Sequence, residues 1–269
     1  MNVETPRRRR PAALATVAAL LLALAALPGS SARADLELGI YEGVPWPIIE
    51  PPVAGMIAPP PRPNGPPPPP ATPAAARVIE VLERVGRDLR QTRYQHMTVV
   101  REREGVFLWD CSGMTAWVLN RAAPRAMATI GRARPVARDF VRAIERAPTT
   151  RAHGGWQRVD DIADAQPGDV FAWRRPRGFP SRNTGHVGFV VDRPLHVPGL
   201  PGAYAVRVAD ATSWGHQDDT RAYDGVGGFG TGTLVFLTDG EGHGTHYGWA
   251  GTRSDAYVTT PIVFGRVSR

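Results

Sequence analysis

The chain contains one cysteine, Cys111, in the run Trp109-Asp110-Cys111-Ser112-Gly113-Met114. Met114, Trp117 and Val118 recur at helical spacing and predict a helix from Cys111 to Arg121, ending before Pro124. A cysteine at a helix N-terminus sits beside free N–H groups and partial positive charge, which favour thiolate over thiol. The same N–H groups can hold the oxyanion of an acyl-transfer intermediate. A sulfur nucleophile needs a base. His186 opens the run His-Val-Gly-Phe-Val-Val, flanked by Gly185 and Gly188, and imidazole titrates near neutrality. A third group should orient the ring, and Asp210 follows the alternating run Tyr204 to Ala209. Cys111, His186 and Asp210 are therefore candidate nucleophile, base and orienting acid. For each residue alone, a purely structural place in the fold is the competing reading.

The elements that must position these groups fall into two blocks. Val78, Val81-Leu82, Val85 and Leu89 mark an apolar stripe on a helix over Ala74 to Thr92, and Phe140, Val141 and Ile144 mark another over Val136 to Arg146. Met97 to Val106 reads as loop. Short β-prone runs follow: Asp169 to Trp173 after the turn Gln166-Pro167-Gly168, His186 to Val191, Tyr204 to Ala209, Thr233 to Thr238, and Tyr257 to Val267, the last interrupted or edge-like at Pro261. Helices first and strands afterwards predict an α+β fold. Strand links too short for helical crossovers predict a mostly antiparallel sheet.

Asp110-Cys111-Ser112-Gly113 on a helix, Gln166-Pro167-Gly168-Asp169-Val170 opening a strand, and Gly185-His186-Val187-Gly188 after it resemble the NlpC/P60 family of cell-wall cysteine peptidases. The resemblance runs from about Tyr94 to Asp239. It implies a papain-like fold, with N-terminal helices packed on a five- to six-stranded sheet, in which Cys111 is the nucleophile and His186 the base. Asp210 would be the third member. The family places His, Asn or Gln closer to the base, so His196 competes for that role. Tyr94 best matches the family's oxyanion-site tyrosine, although the glycine pair that often follows is absent and His96 stands nearby. Asp110 and Ser112 would contact the substrate. The implied reaction is hydrolysis of an amide bond in peptidoglycan stem peptides through an acyl-enzyme, with no cofactor and no metal. A non-catalytic envelope-binding module and an acyltransferase or amidase for another small substrate are the alternatives.

Composition bounds the remainder. The 269 residues include 27 Pro and 29 Gly, and the 32 basic residues are all Arg. One cysteine excludes an intrachain disulfide and a cysteine-based zinc site. Arg7 to Arg10, an apolar run from Ala12 to Leu27 and Ala32-Arg33-Ala34 read as a signal peptide over residues 1–34. The expected location is therefore periplasmic or secreted, with membrane attachment only if the segment is not cleaved. That segment carries five Arg and one Glu, so without it the formal charge falls from +7 to +3. No basic stripe with interleaved aromatics remains, which argues against a nucleic-acid partner. Residues 35–73 hold 14 Pro and read as an extended, disordered stalk. Packing on the domain surface through Trp46 and Ile48-Ile49 is the competing reading. Residues 74–269 then form one catalytic domain, expected as a monomer. Gly225 to Gly230 matches G-x-G-x-x-G but precedes a strand, so it reads as a flexible loop and not a dinucleotide site. His243 and His246 with His216 and Asp218 form a weak metal pattern, and a polar surface loop is the competing reading.

Overall fold

The computed structural model describes residues 65–269 apart from Pro180, Tyr223, Asp224 and Arg269, together with the strand Ile48–Ile49. The expected signal peptide lies outside the described residues, as does most of the expected stalk. Ile48–Ile49 (β1) pairs antiparallel with Val258 and Tyr257.

Among the described residues, four helices precede most of the strands. Helix α1 (Pro73–Asp88) is capped by Thr72, whose side chain accepts the Ala75 N–H. Proline within the first turn suits it, because those N–H groups have no intrahelical acceptor. Helix α2 (Cys111–Ala122) is capped by Asp110, which accepts the Gly113 N–H at 2.7 Å. The short α3 (Pro124–Ala128) and α4 (Ala137–Glu145) follow. Between α1 and α2, where a helix tail and a loop were expected, lies a three-stranded sheet. Strand β2 (Gln91–Tyr94) runs parallel to β4 (Val106–Trp109), which pairs antiparallel with β3 (Val99–Arg101).

The second half is mostly β: β5 (Trp156–Val159), β6 (Val170–Arg174), β7 (Gly185–Val190), β8 (Leu195–His196), β9 (Ala203–Thr212), β10 (Gly228–Thr238), β11 (Gly244–Gly248) and β12 (Tyr257–Val267). Six of these, β6-β7-β9-β10-β11-β12, form an antiparallel sheet that closes on itself through β12–β6. This overturns the papain-like α+β expectation: the fold is mostly β and built on a closed six-stranded barrel. The expected last strand, Tyr257 to Val267, is β12, and its pairing with β6 is what closes the sheet. It does not end at Pro261; its first part pairs with β11 and its last part with β6 and β5. Pro261 lies near the irregularity in the β11–β12 register, where a missing N–H costs no ladder bond.

Closure sorts the side chains. Phe171, Trp173, Val206, Val208, Leu234, Phe236, Ile262 and Phe264 form one buried cluster, joined by Tyr247. Their alternate neighbours Val170, Ala172, Val187, Phe189, Ala209 and Ala211 join a second cluster with Val78, Met114, Val118, Phe140 and Ile144 of the helices. Strands β6, β7 and β9 are thus apolar on both faces. In β6 and β7 the period-2 alternation of a half-exposed strand is lost, and the sequence shows near-continuous apolar runs instead, whereas β9 keeps the polar Arg207 within its alternating run. No helix among the described residues is long and apolar enough to cross a membrane.

Candidate active site

Antiparallel pairing brings the start of β7 beside the end of β9, with Phe189 opposite Ala209. His186 and Asp210 occupy those two ends. His186 Nε2 lies 2.6 Å from Asp210 Oδ2, and both side chains are buried. Gly188 lies between them in the ladder. A Cβ there would come within 2.8 Å of both the Asp210 Cβ and the Phe171 ring, so this position has no room for a side chain.

Asp210 is the centre of a larger buried network. His216 Nε2 lies 2.8 Å from the same Oδ2, while Arg221 Nη1 donates to Oδ1 at 2.7 Å. Arg221 in turn donates from Nη2 to Asp219 at 2.6 Å. Burial would raise the Asp210 pKa, but His216, Arg221 and His186 outweigh it and hold the carboxyl well below the usual carboxylate range. A carboxylate kept ionised accepts from His186 Nε2, fixing the tautomer that leaves Nδ1 as the basic nitrogen. No hydrogen bond to Nδ1 is present among the described residues. Burial lowers the His186 pKa and Asp210 partly offsets this, so the ring tends to be neutral. Trp173 and Trp249 lie 5.0 and 5.2 Å from the His186 ring.

The network residues come from the segment between β9 and β10, which folds back over β10. Gln217 bridges to Thr233, and the Thr220 N–H donates to the Thr231 carbonyl. Gly230 and Gly232 make this possible, because added Cβ atoms would meet Arg221 at 2.6 Å and Asp219 at 2.5 Å. The stretch read as a flexible glycine loop is in part strand β10, with its glycines at the crossing. His216 was noticed only as a metal candidate, and Asp219 and Arg221 were missed. The signal available was this spacing of glycines in a β-prone run.

Cys111 stands at the first residue of α2, 5 % exposed. The backbone N–H groups of Val187 and Ser112 are near enough to the sulfur to lower its pKa, which places it beside the start of β7. The expected acidification does not occur. Burial pushes the thiol up, Asp110 and Asp210 push it further, and the nearby Val187 and Ser112 N–H groups only partly compensate. No hydrogen bond joins Cys111 to His186 among the described residues.

Cys111 lines an open groove of about 970 Å³. Tyr94, Asp110 and Ser112, the expected oxyanion and substrate residues, line it too, as does Gly185 beside His186. His186 is 7 % exposed and, like Asp210, lies behind that wall. His196 is excluded as the third member. It pairs with Tyr204, six residues along β9 from Asp210, which is about 20 Å of extended chain. Asp169 of the Pro-Gly-Asp motif is structural: it accepts the Gln166 N–H at 2.9 Å and pairs with Arg266 of β12.

The metal pattern drawn from His243, His246, His216 and Asp218 is not assembled; His243 instead pairs with Asp239 on the surface. Among the described residues, the three-donor group is His186, Asp210 and His216, with donor atoms within 4.8 Å of one another. Arg221 already places a buried positive charge on Asp210 there, and a cation would have to overcome that repulsion.

No family model matches the chain, and no solved structure matches it. The chain is similar to an uncharacterized protein of Acanthamoeba polyphaga mimivirus, at 27 % identity over 206 residues covering 66 % of this chain and 88 % of that protein.

Proposed function

We propose that the protein is a cysteine hydrolase cleaving an amide bond of peptidoglycan stem peptides. The observation that carries this reading is the buried His186–Asp210 pair, 2.6 Å apart, on the strand whose next residue, Val187, lies near enough to Cys111 for its N–H to lower the thiol pKa. The order of the Asp-Cys-Ser-Gly, Pro-Gly-Asp and His-Val-Gly motifs, resembling that of NlpC/P60 peptidases, supports the same reaction class. The leader-like residues 1–34 support action outside the cytoplasm.

In this reading Cys111 and His186 rest as neutral thiol and neutral imidazole, because burial disfavours both ions. The thiol proton moves to His186 Nδ1 as the sulfur bonds to the substrate carbonyl carbon. Asp110 takes the Gly113 and Met114 N–H groups at the start of α2, so the Cys111 and Ser112 N–H groups are the ones left to receive the developing oxyanion. His186 then gives its proton to the departing amine, and water hydrolyses the thioester by the reverse proton path. Asp210, held ionised, steadies the imidazolium in each step.

The test compares the wild-type protein with Cys111→Ala on purified peptidoglycan, with released peptides read by mass spectrometry. Loss of release in Cys111→Ala is expected, by about 10³-fold or more for removal of a nucleophile. Equal release by both proteins would overturn the reading. The neutral thiol and the absence of a Cys111–His186 hydrogen bond favour a second reading, a non-catalytic module that binds the envelope. It predicts co-sedimentation of both proteins with peptidoglycan and no product from either.

A further inference from the structure

We infer that the Cys111 groove selects a substrate segment carrying a carboxylate and rejects one presenting a free ammonium; this rests on Cys111 being the reactive group of the proposed hydrolase. The usual candidate for receiving an ammonium is Asp110, the one carboxylate on the groove wall. Its oxygens are already committed. Oδ1 accepts the Gly113 N–H at 2.7 Å and the Ser112 hydroxyl at 3.0 Å, and Oδ2 meets His96 Nδ1 at 3.2 Å. The Gly113 and Ser112 bonds cap α2 and fix the residue after Cys111, so Oδ1 cannot turn to a ligand without loosening the helix start.

The positive side of the groove is open. Arg134 and Arg182 both line it and both are exposed. Arg134 donates to the His96 carbonyl at 3.3 Å, which places its guanidinium next to the His96–Asp110 pair. Neither arginine has a carboxylate partner among the described residues. Other arginines in the fold are paired, such as Arg158 with Asp160 and Arg174 with Glu145. Two guanidinium charges against one carboxylate shared with His96 leave the groove net positive. A guanidinium presents a planar fork that matches a carboxylate in a bidentate pair, and a concave wall strengthens the local field. A carboxylate on the segment next to the scissile amide would be drawn to this edge, and an ammonium would find no carboxylate free of other partners.

The chain's one cysteine makes the groove's charge measurable at the sulfur, without knowledge of the substrate. Cys111 would be labelled with sulfonatoethyl methanethiosulfonate, which is anionic, and with trimethylammonioethyl methanethiosulfonate, which is cationic. The same cysteine in urea-unfolded protein gives the reference ratio of rates. The folded protein should favour the anionic reagent at least threefold over that reference at low salt, and Arg134→Ala/Arg182→Ala should return the ratio to it. His96→Ala should raise the cationic rate by uncovering Asp110 Oδ2. A folded ratio equal to the reference, or one unchanged by the double substitution, would overturn the charge selection while leaving the cysteine hydrolase standing. No labelling of folded protein by either reagent would overturn both.

Discussion

At the scale of single residues, the site is a carboxylate held by three donors, one of them His186 at the start of the strand beside Cys111. His216 and His186 share Asp210 Oδ2 at 2.8 and 2.6 Å. Removing His216 therefore frees the carboxylate to shift without touching substrate. A hydrogen bond to a charged group is worth about 1.5–3 kcal/mol. His216→Gln is expected to lower kcat by about 10- to 100-fold with KM unchanged, measured on isolated stem peptides. A rise in KM at constant kcat would mean that His216 shapes the groove instead. The pairing of His186 with Asp210 was legible in the sequence because a glycine-flanked histidine and a strand-end aspartate are chemically distinct, whereas no hydrogen bond joins Cys111 to that pair among the described residues. His216, Asp219 and Arg221 were not legible as a network. They reach Asp210 only because a segment of irregular chain recrosses β10, and no local periodicity records that. The thiol's acidity was misread for a related reason: the sequence shows a helix start, but not the burial and the Asp110 charge that outweigh it.

At the scale of elements, α2 and α4 were legible almost to the residue, since their apolar stripes face one cluster. The β2-β4-β3 sheet was not, because Gln91–Tyr94 continues the polar end of a helical pattern and only its pairing with Val106–Trp109 makes it a strand. Strands β5 and β11 were missed as well. Both are short, and their hydrogen-bond partners lie on β12 or β10 rather than in local sequence. The seam where β12 meets β6 is held by Arg266, which donates to Asp169 Oδ1 and Oδ2 at 3.1 and 2.9 Å and to the Asp164 carbonyl at 2.7 Å. Burial raises the Asp169 pKa while Arg266 lowers it, so the guanidinium is what makes the buried charge tolerable. Arg266→Ala leaves that charge uncompensated and is expected to cost about 3–5 kcal/mol, read in urea unfolding. Amide exchange should quicken first along Val170–Arg174 and its β12 partners. Arg266→Ala/Asp169→Asn should recover part of the loss, since an amide in place of the carboxylate carries no charge.

At the scale of the whole molecule, closure of the barrel encloses ionisable groups that an open sheet would leave at an edge, and this sets how the fold responds to acid. Two shifts act in the same direction, and the raised Asp169 pKa offsets part of the second. The folded His186 pKa is lowered from 6.5, chiefly by burial. As pH falls below that value the unfolded chain takes up a proton that the folded chain resists, and stability declines. The folded Asp210 pKa is held well below 3.8 against the pull of burial, by His216 and Arg221. Below pH 3.8 the unfolded carboxyl protonates while the folded one stays ionised, and a second decline follows until the folded pKa is passed. Because the unfolded state binds more protons in both windows, stability rises with pH through each. Thermal midpoints measured between pH 8 and pH 3 should therefore be flat above about pH 7 and fall in two stages below it. His186→Gln should shrink the stage that begins near neutrality to the part contributed by His246, whose pKa burial also lowers, and keep the acidic one. A midpoint that rises on acidification through that window would mean that the ring is protonated in the folded protein. The neutral resting pair on which the proton path from Cys111 depends would then be wrong.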